Sequence, residues 1–415
     1  MEPRELPPRQ TRFQKRAWVQ KPAWSDRAPA RSVPKRPLPT RSRTRSFSSP
    51  SIYRQRRPGA EDRIVDILGQ LLNAKPATKI IAEAPCRVDL AGGTLDIWPL
   101  YLFHPGAVTI NFAVDRWTRC IVQTDPARSE IRLRSGDLDA EEVFASFDKL
   151  EEAKRPKLAL AAHVVRFFRP STGLLVHTHS EAPAGAGISG SSALMIAMVS
   201  AFNRLVGARH DMEKIREIAQ NIEAQILCVP TGVQDYYPAL YGGVSAIELG
   251  PGGIKRVAIP LDLDDFNQRI VLAYTGAPRN SGVNNWEVTK AHIDGNRRVR
   301  RNFDRITAIA CAMRAALERR DWKEVGSLLT EEWSHRRKNA PGISTPQIDL
   351  LVRVARRAGA SGAKVCGAGG GGCVFFLVER GAKDRVSRAV EKAGAEILPV
   401  KVAARGLTVR VARKT

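Results

Sequence analysis

The sequence predicts two α+β domains behind a basic tail. Three observations carry that expectation: strand-type alternation and helix-type periodicity are interleaved along the chain, no segment repeats another, and residues 1–60 differ in composition from the rest. A length of 415 residues allows two or three domains. With 43% hydrophobic and 26% charged residues the chain can bury a sizeable core, which excludes a wholly disordered protein. The expected divisions are a disordered basic tail over 1–60, a first domain over 61–250 and a second over 251–415.

The tail accounts for most of the charge. Against a formal net charge of +24 for the whole chain, residues 1–60 hold 16 Lys and Arg with three acids, a net of +13, and 10 of the 26 prolines. Such a segment has too little apolar surface to offset the entropy of ordering. The rest carries only +11, which fits small anionic ligands rather than nucleic acid. The six cysteines (Cys86, Cys120, Cys228, Cys311, Cys366 and Cys373) form no C-x-x-C pair, so neither a zinc framework nor a disulfide scaffold is indicated. No apolar run reaches the roughly 18 residues that span a bilayer, and the N-terminus lacks the apolar core of a secretory signal. A soluble, reduced, cytoplasmic protein without a membrane partner is expected, as a monomer or homodimer.

Taken in order, Ile64, Ile67, Leu68, Leu71 and Leu72 recur at helical spacing over 61–74. Residues 79–91, 107–114, 117–123 and 173–179 are β-branched or alternating runs bounded by turn formers, and read as strands. Helices are expected at 158–168, 191–205 and 212–227. Strands at 254–259 and 269–274 follow, then a long helical region over 284–320 and helices at 322–335 and 346–358. The last of these begins with Thr345 as N-cap and Pro346 at the first helical position. The chain closes with a strand, a helix and two strands (373–378, 382–393, 396–401 and 407–412).

Two glycine-rich segments interrupt this pattern, PAGAGISGSSA at 183–193 and GAGGGGC at 367–373. Each contains G-x-G-x-x-G, but the first is followed by two helices, so the second strand of a dinucleotide fold is missing. No G-x-x-x-x-G-K-S/T is present either, which excludes a Walker-type loop. What remains is a glycine and serine loop opening into the apolar helix ALMIAMVSAFNRL. Free backbone N–H groups, a helix N-terminus and serine hydroxyls make an anion site without a lysine. The plainer alternative, a pair of flexible connectors, sits poorly with apolar elements on both sides of each loop.

Three segments in order carry a resemblance: APCRVDLAGGTLD at 84–96, PAGAGISGSSA at 183–193 and KVCGAGGGGC at 364–373. Together they resemble the GHMP kinase superfamily of small-molecule kinases, and they span most of residues 79–410. GVQDYYPALYGG at 232–243 is similar to the branch that phosphorylates heptose 7-phosphate or fucose at the anomeric hydroxyl. The resemblance implies a ribosomal-protein-S5-domain-2-like first domain, a ferredoxin-like second domain, ATP and Mg²⁺ as cofactors, and a sugar or sugar phosphate as acceptor. Cys86 stands where glycine is usual, Tyr236 where a glutamine is expected, and Ser189-Gly190 reverses the common order.

Carried over residue by residue, the resemblance implies Asp235 as catalytic base and Arg87 as the cation stabilising charge at the transfer site. It assigns the nucleotide to Pro183, Gly185, Ala186, Gly187, Ser189, Gly190, Ser191 and Ser192. Ser191 and Glu223 would hold the metal, since Mg²⁺ takes oxygen ligands and keeps waters. Glu223 also falls at the edge of the apolar stripe Met212, Ile215, Ala219, Ile222 and Ile226, where an acid without a cation is costly. Asp96, with Gly92, Gly93, Gly369, Gly370 and Arg279, would contact the substrate, and Ser281 lies beside Arg279. Bland readings stand beside these: a turn aspartate for Asp235 and Asp96, a solvent-facing strand residue for Arg87, a solvated helix residue for Glu223. His177 and His179 share a strand face, but without a third ligand nearby they read as a polar face rather than a metal site. Two alternatives remain: a mevalonate- or homoserine-type kinase, and a nucleic-acid-binding protein acting through the tail.

Overall fold

The computed structural model describes residues 77–278 and 281–412, with side chains for all but 281–284. The tail over 1–60, the helix expected over 61–74 and Arg279 lie outside the described residues, as does the side chain of Ser281. The described residues belong to one compact unit built on two sheets.

The first sheet starts with β1 (Lys79–Ala91) and β2 (Val108–Asp125), an antiparallel pair. The two strands expected at 107–114 and 117–123 are therefore one. Asp115 and Arg116, which read as a break, sit at a ladder irregularity where the register steps from Pro85↔Trp117 to Cys86↔Val114. Lys401 satisfies Asp115 there, its N–H donating to Oδ1 at 2.6 Å and its carbonyl accepting from the Asp115 N–H at 3.0 Å. Next come β3 (Ile131–Ser135), β4 (Ala140–Phe144), α1 (Phe147–Glu152), α2 (Ala159–Phe168) and β5 (Gly173–Ser180). β3, β4 and α1 escaped the sequence reading because they are short, and the residues of β4, AEEVF, show no apolar alternation.

α3 (Gly190–Val206) is buried from Ser192 to Phe202 on every face, as its unbroken apolar run requires. α4 (Met212–Leu227) is capped by Asp211, whose side chain accepts from the Lys214 N–H at 2.8 Å. The short α5 (Tyr236–Tyr241), β6 (Val244–Gly250) and β7 (Gly253–Ala258) follow. Strand order is β12-β1-β2-β5-β3-β4, with β6 on the other half of β2 and β7 on β6. The closing strand β12 (Thr408–Ala412) thus returns from the end of the chain to pair with β1.

The second sheet runs β11-β8-β10-β9, antiparallel throughout, from β8 (Ile270–Tyr274), β9 (Ala360–Val365), β10 (Cys373–Val378) and β11 (Glu396–Leu398). β9 was missed because ASGAKV is small-residue-rich and carries a lysine. Between β7 and β8 lies the short α6 (Leu263–Asn267). The helical region expected over 284–320 is two helices, α7 (Ser281–Ile293) and α8 (Arg297–Glu318). Gly295 at φ +86° turns the chain between them, and Asn296 Oδ1 caps α8 by accepting from Arg298 and Val299. α9 (Trp322–Arg336), α10 (Pro346–Arg357) and α11 (Lys383–Lys392) complete the set. Thr345 caps α10 as its sequence predicts, accepting from the Ile348 N–H at 3.2 Å.

Candidate active site

Along β1, Ile80, Ala82, Ala84, Cys86, Val88 and Leu90 belong to the main apolar core, so Cys86 is a core side chain and not a loop residue. The alternate residues Arg87 and Asp89 point to the other face and are equally buried. A buried guanidinium must be paired. Arg87 Nε and Nη2 both donate to Asp235 Oδ1, at 3.0 and 2.6 Å, and Nη1 donates to the Gly187 carbonyl at 2.9 Å. Its backbone N–H also donates to the Ile188 carbonyl. Burial alone would ease deprotonation of Arg87, but Asp235 and Asp89 outweigh it and hold the guanidinium charged. One strand residue therefore fixes both the glycine loop and the aspartate, and leaves Asp235 Oδ2 outside those bonds.

Ser189 sits at the N-cap of α3 in the left-handed conformation, φ 60° and ψ 35°. The Ser-Gly order follows from packing, because a Cβ on Gly190 would come within 3.0 Å of the Ala182 methyl. Glycine takes the crowded position and serine the left-handed one. Ser189 Oγ is buried without a hydrogen-bond partner among the described residues, as a hydroxyl awaiting a phosphate oxygen would be. The α3 N-terminus adds partial positive charge and open N–H groups at the same place. Behind this loop the second one is packed hard: a Cβ on Gly372 would lie 2.6 Å from the Ala186 carbonyl oxygen, and the Cys373 N–H donates to that oxygen.

Backbone packing also accounts for glycines in the expected substrate set. Gly369 and Gly370 lie against Ile343, where a Cβ on Gly369 would meet the Ile343 carbonyl oxygen at 2.5 Å and the Gly370 N–H donates to it. Gly92 is pressed on Val108 in the same way. At Gly92 and Gly369 backbone approaches backbone, and Gly370 has φ +83°, while Gly93, Gly367 and Ala368 line the cavity.

Ser191 and Glu223 are brought together. Ser191 Oγ donates to Glu223 Oε1 at 2.6 Å and Tyr236 Oη donates to Oε2 at 2.7 Å. Tyr236, the departure from the expected glutamine, is thus a buried donor that orients the carboxylate. Burial raises the Glu223 pKa, while the bonds from Ser191 and Tyr236 work against the rise. A hydroxyl and a carboxylate beside a phosphate-type loop are hard oxygen donors suited to Mg²⁺, with phosphates and water supplying the rest of the shell. Among the described residues no group of three or more His, Cys, Asp or Glu could hold a metal, and His177 and His179 lie instead beside Gly136.

Asp96 is buried, and its Oδ2 accepts from the Gln234 N–H at 2.9 Å. Gly232 makes room for it, since a Cβ there would fall 2.0 Å from Oδ2. Burial, then the negative charge of Asp235, pushes the Asp96 pKa up to about 6. A carboxylate accepts hydroxyl hydrogen bonds on both oxygens, and protonation turns one of them into a donor and removes the charge. Acceptor KM is therefore expected to rise as pH falls through about 6, by about tenfold per unit below it. Asp96→Asn should flatten that profile in a pH series of initial rates, and a wild-type KM constant from pH 7 to 5 would refute the role.

Arg87, Asp96, Asp235, Ser191 and Glu223 open on one cavity of about 410 Å³. Its other flank is largely apolar, with Leu138, Leu158, Leu160 and Met198. The sequence reading missed that flank, because the β3–β4 turn and the start of α2 carry no motif. It also gave no role to Lys364, the first residue of the third motif, nor to Glu332 and Arg336, which with Asp89 form a buried ion network behind the glycine loops. The signal available was a lysine in β9 and an arginine on the apolar side of α9.

An anion-binding loop, a carboxylate held by an arginine, and an oxygen-donor pair around one cleft define a small-molecule phosphotransferase. Family models for the GHMP kinase N-terminal domain and C-terminal domain match residues 157–243 and 313–396. The chain belongs to the GHMP kinase superfamily, whose members transfer phosphate from ATP to a hydroxyl. It is 26% identical over 330 residues to the D-glycero-alpha-D-manno-heptose 7-phosphate kinase of Campylobacter jejuni, covering 75% of this chain and 93% of that one. It is also 26% identical over 356 residues to the mevalonate kinase of Pyrococcus furiosus, covering 80% and 98%. Its fold matches a D-glycero-D-manno-heptose 1-phosphate kinase from Bacteroides thetaiotaomicron with a TM-score of 0.64 at 22% identity, over 81% of this chain and all of that one. No described helix is long and apolar enough to cross a membrane.

Proposed function

We propose that this protein transfers the γ-phosphate of ATP to a hydroxyl of a sugar or sugar phosphate, with the anomeric hydroxyl as the favoured acceptor position. The observation that carries the reading is the Arg87–Asp235 pair opening on the same cavity as Asp96 and the 183–192 loop. Phosphoryl transfer asks the protein for positioning and electrostatics more than for covalent chemistry. Asp235 orients the acceptor hydroxyl and takes its proton. Arg87 holds that carboxylate in place through two hydrogen bonds and lends positive charge beside the transferred group. Asp96 accepts hydrogen bonds from the sugar, and the α3 N-terminus with Ser189 holds the phosphates. Ser191 and Glu223 would hold Mg²⁺, which supplies charge neutralisation on the phosphates when bound.

The reading includes a cytoplasmic enzyme with a small-molecule partner, with no nucleic acid except through the basic tail, divided near residue 250 into a nucleotide half and a second half. The sugar-kinase branch is preferred to a mevalonate-type kinase because GVQDYYPALYGG, Tyr236 apart, is similar to that branch. ADP release with ATP, Mg²⁺ and a panel of L-fucose, D-galactose, a heptose 7-phosphate, mevalonate and homoserine tests it. Turnover with a sugar or sugar phosphate is the expected result. Turnover with mevalonate or homoserine alone, or with none of the panel, would overturn the assignment.

A further inference from the structure

We propose that Arg336, on α9, is a positioning residue for the acceptor side of this cleft, holding the Gly93–Thr94 turn in a strained backbone that sets Asp96 in the cavity wall. The proposal rests on the acceptor role of Asp96 given above, but its central measurement needs no substrate.

Thr94 has φ +73°, a left-handed conformation that a β-branched residue adopts only when its surroundings impose it. Two local backbone bonds follow from the turn, Leu95 N–H to the Gly92 carbonyl at 3.1 Å and Ile97 N–H to the Thr94 carbonyl at 3.2 Å. They frame Asp96. Arg336 reaches this turn from a helix more than 230 residues further along the chain. Its Nη2 donates to the Gly93 carbonyl at 2.8 Å and its Nη1 to Thr94 Oγ1 at 3.3 Å. Gly93 allows the approach, since a Cβ there would stand 3.0 Å from Nη2.

The guanidinium is itself held from behind. Glu332, one turn earlier on α9, accepts from Nε at 2.8 Å and from Nη2, and both side chains are buried. Only a planar fork can bind a carboxylate with one edge and a carbonyl plus a hydroxyl with the other. A lysine at this position keeps the charge for Glu332 and loses the fork. Arg336 also lines the cavity, so the loop it holds is the part of the wall that meets the acceptor. The strain and the clamp are separate observations on the same two residues, and each accounts for the other.

Hydrogen exchange on the full chain, read at the amides of Leu95 and Ile97, tests the clamp. In Arg336→Lys both amides should exchange about tenfold faster or more, as a local opening and not a global one. Acceptor KM, measured with D-glycero-alpha-D-manno-heptose 7-phosphate, should rise by a similar factor, about tenfold, while KM for ATP changes less than about twofold. Adding Thr94→Gly relieves the strain and should restore most of the protection and of the acceptor KM. Unchanged exchange in Arg336→Lys overturns the proposal, and so does a double variant as impaired as the single one. If Arg336→Lys does not fold, Thr94→Val serves instead: it removes only the hydroxyl, faster exchange at Leu95 and Ile97 supports the clamp, and wild-type exchange refutes it. A heptose phosphate that is not turned over at all would count against the sugar-kinase reading while leaving the exchange result to decide the role of Arg336.

Discussion

Asp235→Asn is expected to lower kcat by about 10²–10⁴-fold, the usual contribution of a positioned general base. The substitution is close to isosteric and keeps an oxygen to accept from Arg87. Arg87 also retains Asp89, 3.7 Å away, so its buried charge is not orphaned and the strand holds its place. The Gly187 and Ile188 carbonyls stay bonded to Arg87, so the 183–192 loop keeps its shape and nucleotide affinity should move by less than about threefold. A fall in kcat with intact nucleotide binding therefore isolates the proton-accepting role from a structural one. Steady-state ADP release and a direct nucleotide titration on the same preparation check both halves. Retention of more than a tenth of wild-type kcat would assign Asp235 to positioning alone and leave the base elsewhere.

The parts of this site that were legible in the sequence are those where chemistry restricts the residue locally. The loop at 183–192 announces itself because glycines and serines precede an apolar helix, and Glu223 because an acid at the edge of an apolar stripe needs a partner. Asp235, Arg87 and Asp96 took their roles from the resemblance, and the fold brings all three to one cavity. Gly92 and Gly369 sit at tight backbone crossings, and because a glycine serves a ligand and such a crossing equally well, sequence does not separate the two. Arg336 was illegible because its importance lies in what faces it. A helix arginine four residues after a glutamate reads as a surface pair, and only the fold turns that pair inward onto Gly93. The run at 284–320 was read through Asp294-Gly295-Asn296 because both flanking segments are strongly helical, although the cap at Asn296 is itself a sequence signal. Strands as short as β3 and β4 take their burial from neighbours, not from their own pattern.

Lys364→Met is expected to destabilise the protein by about 3–5 kcal/mol, the range for removing one partner of a buried ion pair. Lys364 and Asp89 are both fully buried and directly bonded, and Glu332 lies 3.5 Å from the same ammonium. Burial by itself would raise the Asp89 pKa, but Lys364, Arg87 and Arg336 outweigh it and hold the carboxyl well below the usual range. The sign follows from that depression: the stability Asp89 contributes is present above the unfolded carboxylate value of about 3.9 and is lost as pH falls from there through the folded value. Without Lys364 the depression shrinks, so the acid-unfolding midpoint should move to higher pH as well as the urea midpoint to lower concentration. Arg87 and Arg336 remain, at 3.7 and 4.0 Å, which is why Asp89 stays ionised at neutral pH and the loss falls short of complete unfolding. Replacing both partners, Asp89→Leu with Lys364→Met, should cost less than the single change, because no lone carboxylate is left in the pair. What remains is chiefly the Gly367 N–H, which donates to Asp89 Oδ1 at 3.1 Å and would lose its acceptor, a penalty of about 1–3 kcal/mol. Urea and acid titrations of the two variants measure this directly, and a single variant less than about 1 kcal/mol below wild type would mean that the network holds Asp89 without its lysine.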